Sequence, residues 1–234
     1  MKMSVLEQIK GGLIVSCQAL PDEPLHSSFI MGRMALAAEQ AGAIGIRANS
    51  VVDIKEIKEQ VDLPIIGIIK KEYGDNPVFI TPTLKEVREV AQAGAEIIAM
   101  DATIRERPEG ENLADIVKAI RQEFPDVLLM ADIATMEDLE LAEALEFDFV
   151  GPTLYGYTEE TKGSSIAYND FEHLRSILET TNIPVIAEGN FDTPEKAKRA
   201  IELGVHSVVT GSAITRPQLI TKKFVDAVNS VTNN

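Results

Sequence analysis

Seven of the connections in this chain fall into a two-beat rhythm, and that rhythm limits the fold more than any other feature. Apolar runs of four to six residues occur at Leu13-Ile14-Val15-Ser16-Cys17 and near Ile44, Ile65, Ile97, Leu128, Phe149, Val185 and Val208. Each is followed by a stretch with helical periodicity. Before the second, fourth and eighth runs the chain reads Ala41-Gly42-Ala43, Ala93-Gly94-Ala95 and Leu203-Gly204-Val205, with Leu145-Glu146-Phe147 in the same place before the sixth. Glycine there suits the left-handed residue that ends a helix. Before the third, fifth and seventh it reads Asp62-Leu63-Pro64, Phe124-Pro125-Asp126 and Asn182-Ile183-Pro184. Such alternation implies a doubled βα unit repeated around a ring, which an open doubly wound sheet has no reason to show. The 234 residues are the usual size of one closed α/β barrel. The expected fold is therefore a (β/α)8 TIM barrel, one domain over residues 1–234. Residues 3–10 form a short helix, with Val5, Leu6 and Ile9 on one side, capping its bottom.

Composition narrows the function. Hydrophobic content of 45% with only 5% aromatics suits a core of Ile, Val, Leu and Ala, as parallel sheets prefer. A formal charge of −15 argues against a nucleic-acid surface, which draws on clustered Lys and Arg. It does not disfavour a small phosphorylated ligand, which needs only a few local donors. No apolar run approaches the roughly 20 residues of a membrane span, and MKMSVLEQIKGG lacks the apolar core of a signal peptide. The one cysteine, Cys17, excludes an internal disulfide, fits a reducing cytoplasm and reads as packing in an apolar strand. No cluster of His, Cys or carboxylates has metal-ligand spacing, so metal-free chemistry is expected.

Residues 185–217 carry two successive strand–loop–helix units whose loops suit an anion. Val185-Ile186-Ala187 breaks at Glu188-Gly189-Asn190, and Thr193-Pro194-Glu195 then opens a helix, with Thr at the N-cap and Pro at the first helical position. Ser207-Val208-Val209 breaks at Thr210-Gly211-Ser212, before a short segment that Pro217 cuts off. Glycine lets main-chain N–H groups approach a ligand, a helix start adds partial positive charge, and Arg216 offers a fork-shaped phosphate partner. Paired loops of this kind late in a repetitive β/α chain describe a barrel phosphate site.

Barrel active sites lie at the C-terminal strand ends. The polar residues ending apolar runs are Gln18, Arg47 with Asn49, Lys70, Asp101, Asp132, Thr153, and Glu188 with Asn190. Asp101 and Asn49 read as orienting neighbouring loops, and Lys71 and Glu72 as a solvated turn. Among the histidines, His173 reads as surface and His206 as lying at the far end of the barrel, while His26, in the first loop, could approach the mouth. Lys70 follows Ile65-Ile66-Gly67-Ile68-Ile69, so its ammonium emerges at an apolar mouth. Desolvation and Arg47 push its pKa down and make it a base near neutral pH. Glu188, across the ring, can pair with it or transfer protons itself. A lysine base, a carboxylate and a phosphate grip suggest proton transfer beside the carbonyl of a sugar phosphate; a Schiff base on Lys70 is the alternative.

The run Gly12-Leu13-Ile14-Val15-Ser16-Cys17-Gln18-Ala19 with Pro24-Leu25-His26, then Gly45-Ile46-Arg47-Ala48-Asn49 and Gly67-Ile68-Ile69-Lys70, resembles the N-acylglucosamine-6-phosphate 2-epimerases of the NanE type. So do Asp101-Ala102-Thr103, Met130-Ala131-Asp132-Ile133-Ala134-Thr135 and Gly211-Ser212-Ala213-Ile214-Thr215-Arg216-Pro217. The resemblance runs from Gly12 to about Phe224. It implies a TIM barrel without a redox cofactor that interconverts N-acetylmannosamine 6-phosphate and N-acetylglucosamine 6-phosphate in bacterial sialic acid catabolism. It assigns catalysis to Lys70 and Glu188, and substrate positioning to Gln18, Arg47 and Asp132, to which Thr153 is added from its strand end. Phosphate binding falls on Gly189, Asn190, Gly211, Ser212 and Arg216. Pro152 departs from the family's pattern, where a threonine stands, and removes a donor and a hydroxyl at the site's edge. Whether one base or two serve the two faces of C2 is left open. The expected partners are a small sugar phosphate and a second copy of the chain in a homodimer, with no nucleic acid and no membrane.

Overall fold

The structure is a computed structural model that describes residues 4–232. The strands are β1 (Leu13–Cys17), β2 (Gly45–Asn49), β3 (Ile65–Ile68), β4 (Ile97–Asp101), β5 (Leu128–Asp132), β6 (Phe149–Gly151), β7 (Ile186–Ala187) and β8 (Ser207–Thr210). They form one parallel sheet in the order β6-β5-β4-β3-β2-β1-β8-β7. A bridge between Val150 and Val185 brings its two ends together, so the expected TIM barrel is the observed fold. The helices are α1 (Val5–Gln8), α2 (Ser28–Gln40), α3 (Val51–Gln60), α4 (Leu84–Ala93), α5 (Leu113–Glu123), α6 (Met136–Ala144), α7 (Tyr168–Thr180), α8 (Pro194–Leu203), α9 (Ser212–Thr215) and α10 (Pro217–Thr232). None of those described is long and apolar enough to cross a membrane.

The connection rhythm has a structural cause. Gly94 and Gly204 close α4 and α8 at φ +91° and +99°, and Glu146 takes φ +57° in the same position before β6. Pro64 and Pro184 stand just ahead of β3 and β7, where a missing N–H costs no ladder bond. Their carbonyls still serve the neighbouring strands, accepting from Ile46 N at 3.0 Å and Val150 N at 3.2 Å.

Side chains alternate between the two faces of each strand. Val15, Ile46, Ile65, Ile98, Leu129, Val150, Ala187 and Val208 join the core beneath the helices. Ile14, Ile66, Ile68, Ile97, Met130, Phe149, Ile186 and Val209 fill the barrel interior. Counting upward by twos from the interior residues reaches Gln18 on the β1 side, Lys70 after β3, Asp132 on β5, Thr153 after β6, Glu188 after β7 and Gly211 after β8. The same parity that packs the core therefore directs these residues into the mouth.

At the opposite end α1 plugs the barrel. Ser4 caps it reciprocally with Glu7, and Ile9 is buried with the interior cluster. His206 Nε2–H donates to Leu6 O at 2.8 Å, which confirms that this histidine sits at the bottom. The expected helix over residues 3–10 is shorter, and Met3 lies outside the described residues. Two other expectations are corrected. His173 is half-buried, because the chain after β6 folds over α7 and stacks Tyr155 on its ring at 3.9 Å between centroids. Lys71 is part of a strut rather than a solvated turn. It pairs at 3.1 Å with Glu86, only 1% exposed, which also accepts from Tyr73 Oη at 2.9 Å. That strut ties the chain carrying Lys70 to α4.

Candidate active site

A cleft of about 260 Å³ opens at the C-terminal end of the strands. Of the residues expected there, Gln18, Lys70, Thr153, Glu188, Gly189, Asn190, Gly211, Ser212 and Arg216 line it, whereas Arg47 and Asp132 do not. The difference is one of burial. Arg47, level with Ser16 and Ile66 on the neighbouring strands, pairs with Asp132, and the two are 1% and 0% exposed. Arg47, expected to position the substrate, has both Nη groups against carboxylates, while its Nε is buried without a partner among the described residues.

The buried ions form a chain. Arg47 Nη2 and Nη1 donate to Asp132 Oδ2 and Oδ1 at 2.6 and 3.2 Å, and Thr153 Oγ1 adds a third bond to Oδ1 at 2.7 Å. Arg47 Nη1 also lies 2.9 Å from Glu188 Oε2. That oxygen has no aligned donor among the described residues, so the contact is ionic rather than a hydrogen bond. Burial opposes the charge on Arg47, yet Asp132 and then Glu188 hold its pKa above the ordinary value. For Glu188 burial wins over Arg47, and with Asp132 repelling it the carboxyl is pushed up to about 7. Lys70 moves the other way. Burial first, then the cations Arg47 and Arg216, lower its pKa, with Glu188 and Asp132 opposing. Its backbone is held on both sides, since Lys70 N donates to Asn49 Oδ1 at 2.8 Å and the residue bridges Ile80. Asn49 thus orients the lysine's own strand end. Gln18 donates through Nε2 to Ser16 Oγ at 2.8 Å, and its own Oε1 is buried without a partner among the described residues.

The β7 and β8 side is made mostly of main chain. Gly189 takes φ +111° and Asn190 +59°, turning the backbone sharply over the cleft. A Cβ on Gly189 would come 3.3 Å from Pro152 O, in addition to the strain of its conformation. Pro152 thus sits under this turn, with its carbonyl accepting from Tyr155 N at 3.1 Å. Phe191 stacks on Phe171 at 5.6 Å, pinning the turn to α7. Thr193 caps α8, accepting from Lys196 N at 3.3 Å, with Pro194 in the first turn as expected. Gly211 precedes α9, whose first N–H groups have no intrahelical acceptor. A Cβ there would lie 3.2 Å from that of Ser16, so glycine keeps the floor open. Arg216 lines the same side, but its guanidinium is engaged. Nε and Nη2 donate to Glu23 Oε1 and Oε2 at 2.5 and 3.0 Å, and Nη1 donates to Ser212 Oγ at 3.1 Å.

Glu23 went unnoticed in the sequence, and no local pattern could have revealed it, because its partner lies 193 residues away. Phe79 and Ile80 also line the cleft unforeseen. They do so because the chain after Lys70 doubles back, with Lys71 N donating to Phe79 O at 2.9 Å. Of the remaining candidates, His26 is taken up by Ala19 O, 3.0 Å from its Nδ1. Asp101 accepts from Thr103 and Arg105. Cys17 is fully buried with its thiol pushed up to about 12, chiefly by that burial, as suits packing.

A (β/α)8 barrel with a small cleft at its strand ends, combining a buried glutamate, a desolvated lysine and anion-suited turns, defines the class: an enzyme acting on a small phosphorylated substrate. Comparison with known proteins is more specific. The family model described as "NanE: Putative N-acetylmannosamine-6-phosphate epimerase" matches residues 31–230. A protein of Listeria welshimeri, named "Putative N-acetylmannosamine-6-phosphate 2-epimerase", is 62% identical over 97% of this chain and 96% of its own length. One of Lactiplantibacillus plantarum with the same name is 58% identical over 97% of this chain and 100% of its own length. The solved N-acetylmannosamine-6-phosphate 2-epimerase of Clostridium perfringens superposes with a TM-score of 0.91 at 55% identity, covering 97% of both chains. The chain belongs to the NanE family of epimerases.

Proposed function

We propose that this protein interconverts N-acetylmannosamine 6-phosphate and N-acetylglucosamine 6-phosphate by removing and returning the proton on C2, a step of amino sugar catabolism. The observation that carries the reading is that Lys70 and Glu188 line one cleft, with Glu188 held 2.9 Å from the buried Arg47. Lys70 is shifted toward its neutral form, while Glu188 is shifted to about 7 and so toward its acid form. A neutral amine can accept a proton and a protonated carboxyl can supply one, at the same pH.

The C2 proton is acidic only when C1 is an aldehyde, so the pyranose is open at the chemical step. Lys70 takes the C2 proton and becomes an ammonium. Gln18 serves as a donor to the enolate oxygen. Reprotonation on the opposite face comes from Glu188, or from Lys70 after the intermediate turns. Arg47 and Asp132 act from their buried pair: they fix Glu188 and set the potential felt by Lys70. Thr153 joins the cleft to Asp132. The turns at Gly189-Asn190 and Gly211-Ser212, with Arg216, hold the phosphate, and that binding energy orients C2 against Lys70.

The test is proton NMR of N-acetylmannosamine 6-phosphate with the enzyme in deuterated water. Product carrying deuterium at C2 is the expected outcome. Turnover without solvent exchange, together with no primary isotope effect on C2-deuterated substrate, would replace this mechanism by carbon–carbon cleavage through a Schiff base on Lys70.

The protein further acts as a homodimer in the cytoplasm. Residues 221–231 of α10 are all exposed, with Phe224, Val225 and Val231 at 71%, 47% and 76%. Apolar side chains presented together along one helix are the material of an interface. The lone buried thiol of Cys17 suits a reducing compartment. Light scattering reads the assembly directly: a Phe224→Asp variant running as a monomer supports the dimer, and a monomeric wild type refutes it.

A further inference from the structure

Glu23 stands in the loop between β1 and α2 and is held from two directions. Leu20 N donates to its Oε2 at 2.7 Å from the same loop, and Gln218 Nε2 donates to Oε1 at 3.1 Å from the first turn of α10. Between those supports its carboxylate takes the Nε and Nη2 edge of Arg216 in a bidentate pair. We infer that Glu23 is a positioning residue, which holds Arg216 so that its remaining N–H groups serve the phosphate of the substrate. The inference rests on the reading of Arg216 as a phosphate partner.

The donor geometry carries it. A guanidinium has five N–H groups in one plane. Two are given to Glu23 and one to Ser212 Oγ, which leaves one on each Nη. Arg216 lines the cleft with these two N–H groups in reserve. Guanidinium N–H groups make strong charge-assisted bonds to phosphate oxygens. An unsupported arginine would have to find this pose among many rotamers each time ligand bound, at a cost in affinity. The hydrogen bond to Arg216 also holds the Glu23 pKa below the usual carboxylate range, so the pair stays ionised at neutral pH.

A carboxylate close to a phosphate could act in the opposite sense, as a repulsive brake. The sign of a mutation separates the two roles. If Glu23 positions Arg216, Glu23→Ala raises KM for the phosphorylated sugar about ten- to a hundredfold while kcat changes less than about threefold. Glu23→Gln, which keeps one acceptor oxygen, falls between. Once Arg216→Ala has been made, adding Glu23→Ala has no further effect on KM, because the two act as one unit. Titration of inorganic phosphate by phosphorus NMR follows the same order and does not depend on turnover. A wild type that fails to epimerise would thus sink the proposed reaction while Glu23 is still tested. A KM unchanged or lowered in Glu23→Ala, additive effects in the double variant, or kcat and KM falling away together with the melting temperature would each overturn the positioning role.

Discussion

In one group of residues, carried by β2, β3, β5 and the very end of β7, the working parts are charges removed from water. Arg47 and Asp132 are sealed together, Glu188 is forced toward neutrality against them, and Lys70 is desolvated above. On the β7 and β8 side the parts are main-chain turns, a four-residue helix and an arginine clamped by a half-exposed loop. The first side depends on low dielectric, where each charge sets the protonation of the next. The second depends on backbone shape, which survives changes of pH but not the addition of a Cβ. A substrate bridging the two would be held by shape at its phosphate and transformed by electrostatics at C2. Chemistry and affinity should therefore be separable by mutation.

The largest expected effect lies on the charged side. Lys70→Ala should lower kcat by about 100- to 10,000-fold, the usual loss of a positioned base, with KM little changed. Near-normal turnover in steady-state assays would end the contrast at its centre. Next, Asp132→Ala leaves Arg47 buried without its bidentate partner, and breaking a buried pair in this way costs about 3–5 kcal/mol. Calorimetry should show a melting temperature lower by roughly 10 °C; a drop of only a degree or two would mean that water or Glu188 compensates Arg47.

Arg216→Ala should act mainly on the other side, weakening the phosphorylated sugar by about 1.5–3 kcal/mol, with a smaller effect on kcat through the loss of one of the cations that lower the Lys70 pKa. The same loss with unphosphorylated sugar, measured by isothermal titration, would show that Arg216 does not see the phosphate. The smallest effect is in the pH profile. Glu188 is an acid below about pH 7 and charged above it, so a step that needs its proton slows as pH rises through that value. The step that needs neutral Lys70 runs in the opposite sense, gaining as pH climbs through the lysine's depressed pKa. The falling limb of kcat/KM near pH 7 should vanish in Glu188→Gln, which no longer titrates. If the limb persists there, it belongs to another group and the two-acid route loses its support.

Much of this was legible because it follows from rules acting within a few residues. The cap positions Gly94, Gly204 and Thr193 came from helix-end chemistry, and Glu146 showed that a left-handed residue was needed even where glycine was missing. The strand-end residues followed from the apolar runs, whose alternation forces every second residue inward. Burial did not follow. Arg47 ends an apolar run much as Lys70 does, yet its guanidinium is buried against Asp132, 85 residues on. Lys71 looked like any charged turn residue until Glu86, 15 positions on, was placed beside it.

The amino-acid sequence by itself determined the eight βα units, the inward parity of Gln18, Lys70, Asp132, Thr153 and Glu188, and the two anion-suited turns, since periodicity, caps and glycine conformations act locally. Only the tertiary structure decided the ionic chain from Asp132 through Arg47 to Glu188, the opposed titration of Glu188 and Lys70, and the clamp of Glu23 on Arg216. Their partners stand 85 and 193 residues apart in the Arg47–Asp132 and Glu23–Arg216 pairs. Desolvation and Coulomb interactions depend on distance and burial in space, and closure of the barrel sets both.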